Sequence, residues 1–482
     1  MKKSRTKPAR QSEQKAWWPT LLVLSLIGLV VMFDETMILP AIPDFIRDFG
    51  ISYSEASWLL SGYIIAAAVM TPIAGKLSDI YGRKRVLLIV MGVYMAGVVL
   101  GRFADGIEIM VVARMMQGVG MAMFPIAFGI IRETLPMDRL SIGQTIFSAM
   151  FPTGAVIGLV GGAAIIQWFG WQMTFVAILP VSLALWLLIF KVIKDPVRTG
   201  PPADRTIDFK GIAALATTIV LFLMGITMVE SGSGMQTVAL LFAAAGVSLG
   251  IFAYVEKRAR SPIIDFKLMR SRAFLPPTVI LLLTFLSMFM VYLTVPVLVR
   301  SPAPLGFGGD AVAVAGTQLP FMAIFLAGTI SSGFILDRVR NTRLVVIGSV
   351  ISTAGFLLLL ASHSTQESVS VGLAVIAVGL SLCMTGGFNV ILVSVPPQAT
   401  GSAMGMTMLL NLIGMSTGPA LAGMLQQTHQ GSVPGFEGTF PTAEAYTLIF
   451  SVSVAFALVS LALAVMLARS APKAGKTKNM GH

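Results

Sequence analysis

Gly75-Lys76-Leu77-Ser78-Asp79-Ile80-Tyr81-Gly82-Arg83-Lys84-Arg85 lies between two long apolar runs, at about 55–75 and 86–103. A polar stretch this short, between runs that can each cross a bilayer, joins two membrane helices. Its cations place it on the cytoplasmic side, where Lys and Arg accumulate. Gly75 and Gly82 permit a tight turn and close backbone approach. Asp79 can accept hydrogen bonds or face the positive end of a neighbouring helix. A loop retained for its charge alone would need neither the glycines nor the acid. The spacing predicts a latch that ties two parts of a membrane protein together at one face.

The rest of the chain agrees with a membrane reading. Of 482 residues, 56% are hydrophobic and 12% charged, with mean hydropathy +0.85. Soluble domains carry about 25% charged residues. Runs of roughly 20 apolar residues define fourteen spans, at about 19–43, 55–75, 86–103, 107–130, 141–167, 173–194, 211–229, 237–255, 274–299, 311–335, 344–361, 369–393, 403–425 and 445–468. With both termini on one side, 30 of the 34 Lys and Arg fall on that side, and Arg47, Arg102 and Arg300 on the other. Arg114 alone lies inside a span. This bias puts the termini in the cytoplasm, as expected for a multi-pass protein of the plasma membrane. It also accounts for the net charge of +12, because cations dispersed among loops do not form a nucleic-acid surface. The single cysteine, Cys383, excludes an intramolecular disulfide. Three scattered histidines give no metal-ligand spacing.

An internal repeat organises the spans. Gly75-x-Leu-x-Asp79 recurs as Gly333-x-Ile-x-Asp337, followed by Arg338. Gly154-x-x-x-Gly158 recurs as Gly414-x-x-x-Gly418-Pro419 at nearly the same offset. The expected fold is an all-α membrane protein of 14 transmembrane helices: two pseudo-symmetric six-helix bundles, 17–194 and 274–468, plus two linker helices within 195–273. Basic tails at 1–16 and 469–482 flank them.

Two adjacent acids, Asp34 and Glu35, lie well inside span 1. A charged acid there costs about 2.5–3.5 kcal/mol on insertion scales. One that is retained faces a cavity or a partner, and it can bind and release a proton as its surroundings change. Neighbours on a helix diverge by about 100°, so Asp34 is expected to carry the proton and Glu35 to assist. In span 4, Arg114 is followed by Gln117. Charge balance predicts pairing of Arg114 with an acid of span 1, either as a fixed ion pair or as a counter-charge released on protonation. Gly154, Gly158 and Gly162 share one face of span 5 and allow close packing. Met37, Trp58, Tyr63, Gln117, Asn389 and Asn411 are the candidate walls of a substrate cavity. Met side chains re-pack around varied apolar ligands, and aromatic faces attract cations.

These residues carry a resemblance. Gly75, Leu77, Asp79, Gly82, Arg83 and Lys84 match G-x-L-x-D-x-x-G-R-[KR], which resembles the loop between spans 2 and 3 of the major facilitator superfamily. Asp34, Thr36, Ala41 and Pro43 resemble the span-1 signature of its fourteen-span drug:proton antiporters, with Leu39 where Asn is usual. Trp171, Phe175 and Pro180 resemble the start of span 6, with Gln172 in place of Arg, and Asp208-x-x-Gly211 the start of span 7. Span 5 resembles the antiporter motif, although Leu159 stands where its Pro is expected and Pro419 keeps that Pro in span 13. The resemblance implies a proton-coupled exporter of amphipathic, cationic compounds that works by alternating access, with Asp79 and Arg83 in the latch. An exporter of lipid-like or anionic molecules, or a uniporter, would use the same scaffold. The chain has no phosphate loop of the GK[ST] kind, no nucleophile elbow and no paired Cys motif. The expectation is a monomeric transporter that is not an enzyme, needs no cofactor, and has lipid, protons and a small amphipathic molecule as partners.

Overall fold

The computed structural model describes residues 7–51, 53–56, 58–137, 139–193, 208–230, 234–259, 262, 269–271, 274–336, 339–436 and 439–470. Fourteen helices within it are long and apolar enough to cross a membrane. In order they are Trp17–Ala41, Trp58–Tyr81, Arg83–Arg102, Ile107–Thr134, Leu140–Phe169, Gln172–Val192, Phe209–Val229, Met235–Arg258, Leu275–Arg300, Ala313–Leu336, Asn341–Ala361, Gln366–Ser394, Pro397–Thr428 and Ala443–Arg469. Helices are the natural answer to this sequence, because each satisfies its own backbone where water cannot.

The internal repeat is also a repeat of packing. A Cβ placed on Gly154, Gly158 or Gly162 would run into span 1, at Leu29, Phe33 and Met37 respectively. Gly414 and Gly418 of span 13 stand in the same relation to Leu282 and Leu286 of span 9. Each half therefore seats one helix on another through a face of glycines. Without a hydrophobic drive between helices in lipid, such close approach is what holds them together. Spans 1–6 and 9–14 form the two pseudo-symmetric bundles.

Spans 7 and 8 are the inserted pair. They pack along each other, with the Thr218 hydroxyl 2.9 Å from that of Ser248. Asp208 starts span 7 by accepting the Gly211 N–H at 2.9 Å. Span 7 also packs against spans 2 and 13, one from each bundle.

At the end of the molecule opposite the basic loops, span 1 runs on into a short helix, Ile42–Phe49, closed by Gly50 at φ 65°. Its Phe45 and Phe49 rings meet the Trp171 ring edge-on at 4.8 and 5.7 Å. The Trp171 indole N–H donates to Asp48 Oδ2 at 2.9 Å. That bond, aided by Arg47, holds the Asp48 carboxyl below its usual range, so the tie stays ionised at physiological pH. It fixes the end of span 1 opposite the basic loops to the start of span 6; span 1 is the helix that carries Asp34 and Glu35.

The glycine faces make a direct prediction. Gly158→Leu forces a side chain into Phe33 and Thr36 and is expected to cost at least about 1–3 kcal/mol, as overpacking does. Gly92→Leu, with nothing within 4 Å of its Cβ position, is expected to cost little. Thermal unfolding in detergent checks this, and equal Tm shifts for the two variants would contradict it.

Candidate functional site

The buried charges of spans 1 and 4 meet. Arg114 Nη1 lies 3.7 Å from Asp34 Oδ2, and both side chains are fully buried. This separation is an ion pair without a hydrogen bond. Neither Asp34 oxygen has a protein hydrogen-bond partner, and the same holds for Arg114 Nε and Nη2. Arg114 Nη1 instead donates to Gln117 Oε1 at 2.8 Å, one helical turn on. The Arg114 guanidinium also sits over the Tyr63 ring, 4.5 Å from its centroid. Close approach makes this possible, since a Cβ on Gly118 would strike the Tyr63 backbone. Glu35 follows on the next position, half-buried, with Oε2 unpartnered. Thr36 turns away toward span 5, its hydroxyl 2.9 Å from the Ala155 carbonyl oxygen. An acid held only by Coulombic attraction loses no hydrogen bond when it is neutralised.

The halves join at the end that bears the basic loops. Asp79 Oδ2 accepts both the backbone N–H and the hydroxyl of Ser402 at 2.7 Å, and Asp79 Oδ1 accepts the Gly401 N–H at 3.1 Å. The carboxylate thus caps the first turn of span 13, where the helix dipole favours an anion. Arg83 is 3% exposed and lies 3.2 Å from Asp79 and 3.4 Å from Glu133. It also donates to the Pro397 carbonyl at 2.6 Å, across the seam. A Cβ on Gly75 would strike the Gly401 carbonyl, and a Cβ on Gly129 the Arg83 guanidinium. Gly82, at φ 106°, makes the turn that a side chain would strain.

At the second seam Asn389 and Gln144 make neutral contacts. Asn389 Nδ2 donates to Ser141 Oγ at 3.1 Å and Asn389 Oδ1 accepts from Asn341 at 3.1 Å. Gln144 donates to the Thr385 carbonyl at 3.3 Å. Above these contacts the Phe128 and Phe388 rings meet at 5.5 Å across the two halves. Phe124 and Phe147 continue this aromatic floor to Gly28 of span 1. Gly28 is six residues from Asp34, so the floor lies about 9 Å from the acid along the helix.

Asp34, Arg114, Tyr63 and Gln117 are brought together, with Glu35 next to Asp34 in the chain. Met37 is fully buried, with its Cα and Cβ against Gly162. Asn389 lies in the seam, bonded to Ser141 and Asn341. Trp58 is half-buried at the start of span 2, packed against the core. Asn411 is 3% exposed with both polar atoms unpartnered. Asp337 and Arg338 lie outside the described residues. Glu133, Ser402 and the Phe128–Phe388 contact were not foreseen. The small residues Gly401 and Gly405, four apart, were the available signal for the seam on span 2.

This architecture has relatives. The Major Facilitator Superfamily profile matches residues 24–419 and again 280–481. The chain belongs to that superfamily and is a multi-pass membrane transporter. It is 27% identical over 427 residues to the "Tetracenomycin C resistance and export protein" of Streptomyces glaucescens, across 86% of this chain and 77% of that one. It is 26% identical over 434 residues to "Multidrug resistance protein 3" of Bacillus subtilis (strain 168), across 87% of this chain and 81% of that one. The crystal structure of the human organic anion transporter MFSD10 (TETRAN) superposes with a TM-score of 0.70 at 14% identity, over 92% of this chain and 99% of that one. This last likeness speaks for the fold.

Removing Arg83 would leave two carboxylates facing each other with their shared cation gone. Arg83→Ala is therefore expected to destabilise the seam by about 3–5 kcal/mol, as breaking a buried pair does. Maleimide labelling of a cysteine placed at Ser402 reads the effect. Faster labelling in the Arg83→Ala background is the expected result, and an unchanged rate would contradict the latch.

Proposed function

We propose that this protein is a proton-coupled exporter of amphipathic, cationic compounds, working by alternating access in the plasma membrane. Its basic end and both termini face the cytoplasm. The observation that carries this reading is the fully buried Asp34, paired with Arg114 by charge and by no hydrogen bond. The printed names of the relatives, resistance and export proteins among them, support the outward direction and the drug-like substrate.

In this reading the structure is the state closed to the cytoplasm. The Asp79 cap, the Arg83 bridge and the Phe128–Phe388 floor separate Asp34 from that side. A proton from outside neutralises Asp34 and weakens its hold on Arg114, which keeps Gln117 and Tyr63 as partners. The loss of a buried charge lowers the cost of reorganising the helices around it. Once the site faces the cytoplasm, a cationic substrate favours the ionised acid and displaces the proton. One acid cannot hold both firmly, so binding of one releases the other.

Stoichiometry sets the driving force. One proton exchanged for one monovalent cation moves no net charge, so only the pH difference drives it, at about 1.4 kcal/mol per unit. A second proton, on Glu35, adds the membrane potential at about 2.3 kcal/mol per 100 mV.

Proteoliposomes under an imposed pH gradient test the reading. The parent is expected to export a cationic dye only when the gradient is present, and Asp34→Asn to abolish that export. Glu35→Gln is expected to remove the dependence on membrane potential while leaving the dependence on pH. Dye export independent of the gradient would indicate a uniporter. Transport of a lipid analogue or an organic anion, and of no cationic dye, would replace the substrate class.

A further inference from the structure

The two halves differ in the polarity of their interiors. Spans 9–14 carry no Asp, Glu, Lys or Arg between their terminal turns, whereas spans 1 and 4 carry Asp34, Glu35 and Arg114. Within that neutral half Asn411 is unusual. It is 3% exposed, and neither Oδ1 nor Nδ2 has a hydrogen-bond partner. A buried amide left wholly unpaired is costly and so asks for a ligand.

The packing of span 13 shows where Asn411 points. Gly401 and Gly405 face span 2 at Gly75 and Thr71, and Gly414 and Gly418 face span 9 at Leu282 and Leu286. At about 100° per residue, Asn411 falls on the arc between these two faces, together with Met404, Met408 and Met415. This stripe therefore looks toward the junction of one helix from each half. Depth agrees as well. Asn411 is six residues beyond Gly405, or about 9 Å, and Tyr63 is eight residues beyond Thr71, or about 12 Å, in the same direction. Asn411 thus lies within about one helical turn of the Arg114–Tyr63–Asp34 level.

We propose that Asn411 is the specificity-determining hydrogen bond of the C-terminal half. The N-terminal half reads the charge of the substrate. The C-terminal half offers methionines for apolar surface, which adapt to many shapes, and one amide that reads a neutral carbonyl or hydroxyl. The preferred substrates are then amphipathic cations that also carry such a group. This inference rests on the proton-coupled export of cations proposed above.

Two cationic probes separate the terms in proteoliposomes: tetraphenylphosphonium, which has no hydrogen-bonding group, and a rhodamine ester, which has a carbonyl. Asn411→Leu is expected to raise KM for the ester about five- to tenfold, the worth of one hydrogen bond, and to change KM for tetraphenylphosphonium much less. Retained tetraphenylphosphonium export also reports that the variant is folded. Asn411→Gln is expected to restore part of the ester affinity. An equal loss for both probes, or no change for either, would overturn the inference. A parent protein that exports neither cation would overturn the export reading first, and this inference with it, before any substitution is made.

Discussion

Two opposite charges fully buried among apolar helices are the constraint on which the rest depends. Neither Asp34 nor Arg114 could be left alone at that depth without a large cost, so each fixes the position of the helix that carries the other. The pair is deliberately incomplete. At 3.7 Å, with no hydrogen bond to the acid, it supplies attraction without the directional bonds that would make it permanent. Gln117 and Tyr63 give Arg114 a second set of partners, a hydrogen-bond acceptor and an aromatic face, that remain when Asp34 is neutralised.

Around this pair the protein is built from faces that approach closely and separate cleanly. Within each half, glycines bring one helix onto the backbone of another, span 5 on span 1 and span 13 on span 9. Between the halves, Gly75 meets Gly401 and the Asp79 carboxylate caps span 13. The within-half faces are extended and apolar and keep each bundle rigid. The seam between the halves combines the charge-assisted bonds of Asp79 and Arg83 at the basic end with close packing of span 13 on span 2 at Gly401 and Gly405 and the Phe128–Phe388 contact. A rigid bundle on either side of a breakable seam is what a rocking motion requires. The inserted span 7 lies along spans 2 and 13, so it spans that seam without completing either bundle.

Hydrophobicity and length made the fourteen spans readable, because the bilayer imposes a length that few soluble helices meet with so few charges. The ends were less readable where polar residues find partners on another helix. The apolar run of span 2 stops near residue 75, yet the helix continues to Tyr81, because Ser78 and Asp79 are satisfied by their own turn and by span 13. The Asp34–Arg114 pairing was legible from charge balance, as was the latch from its spacing. The packing of Met37 on Gly162 and the bonds of Asn389 were not, since a position along a helix gives depth but not neighbours. Asn389 meets Ser141 and Asn341, which lie far from it in the chain. Glu133 sits beside Arg132 in the last turn of span 4, and only the fold brings it to Arg83.

The central claim is that substrate and proton compete for Asp34. The most direct measurement is the pH change when a cationic substrate is added to the purified protein in weakly buffered detergent solution. The account predicts acidification that saturates with substrate and is absent in Asp34→Asn. Substrate binding without proton release, or equal release from Asp34→Asn, would contradict it.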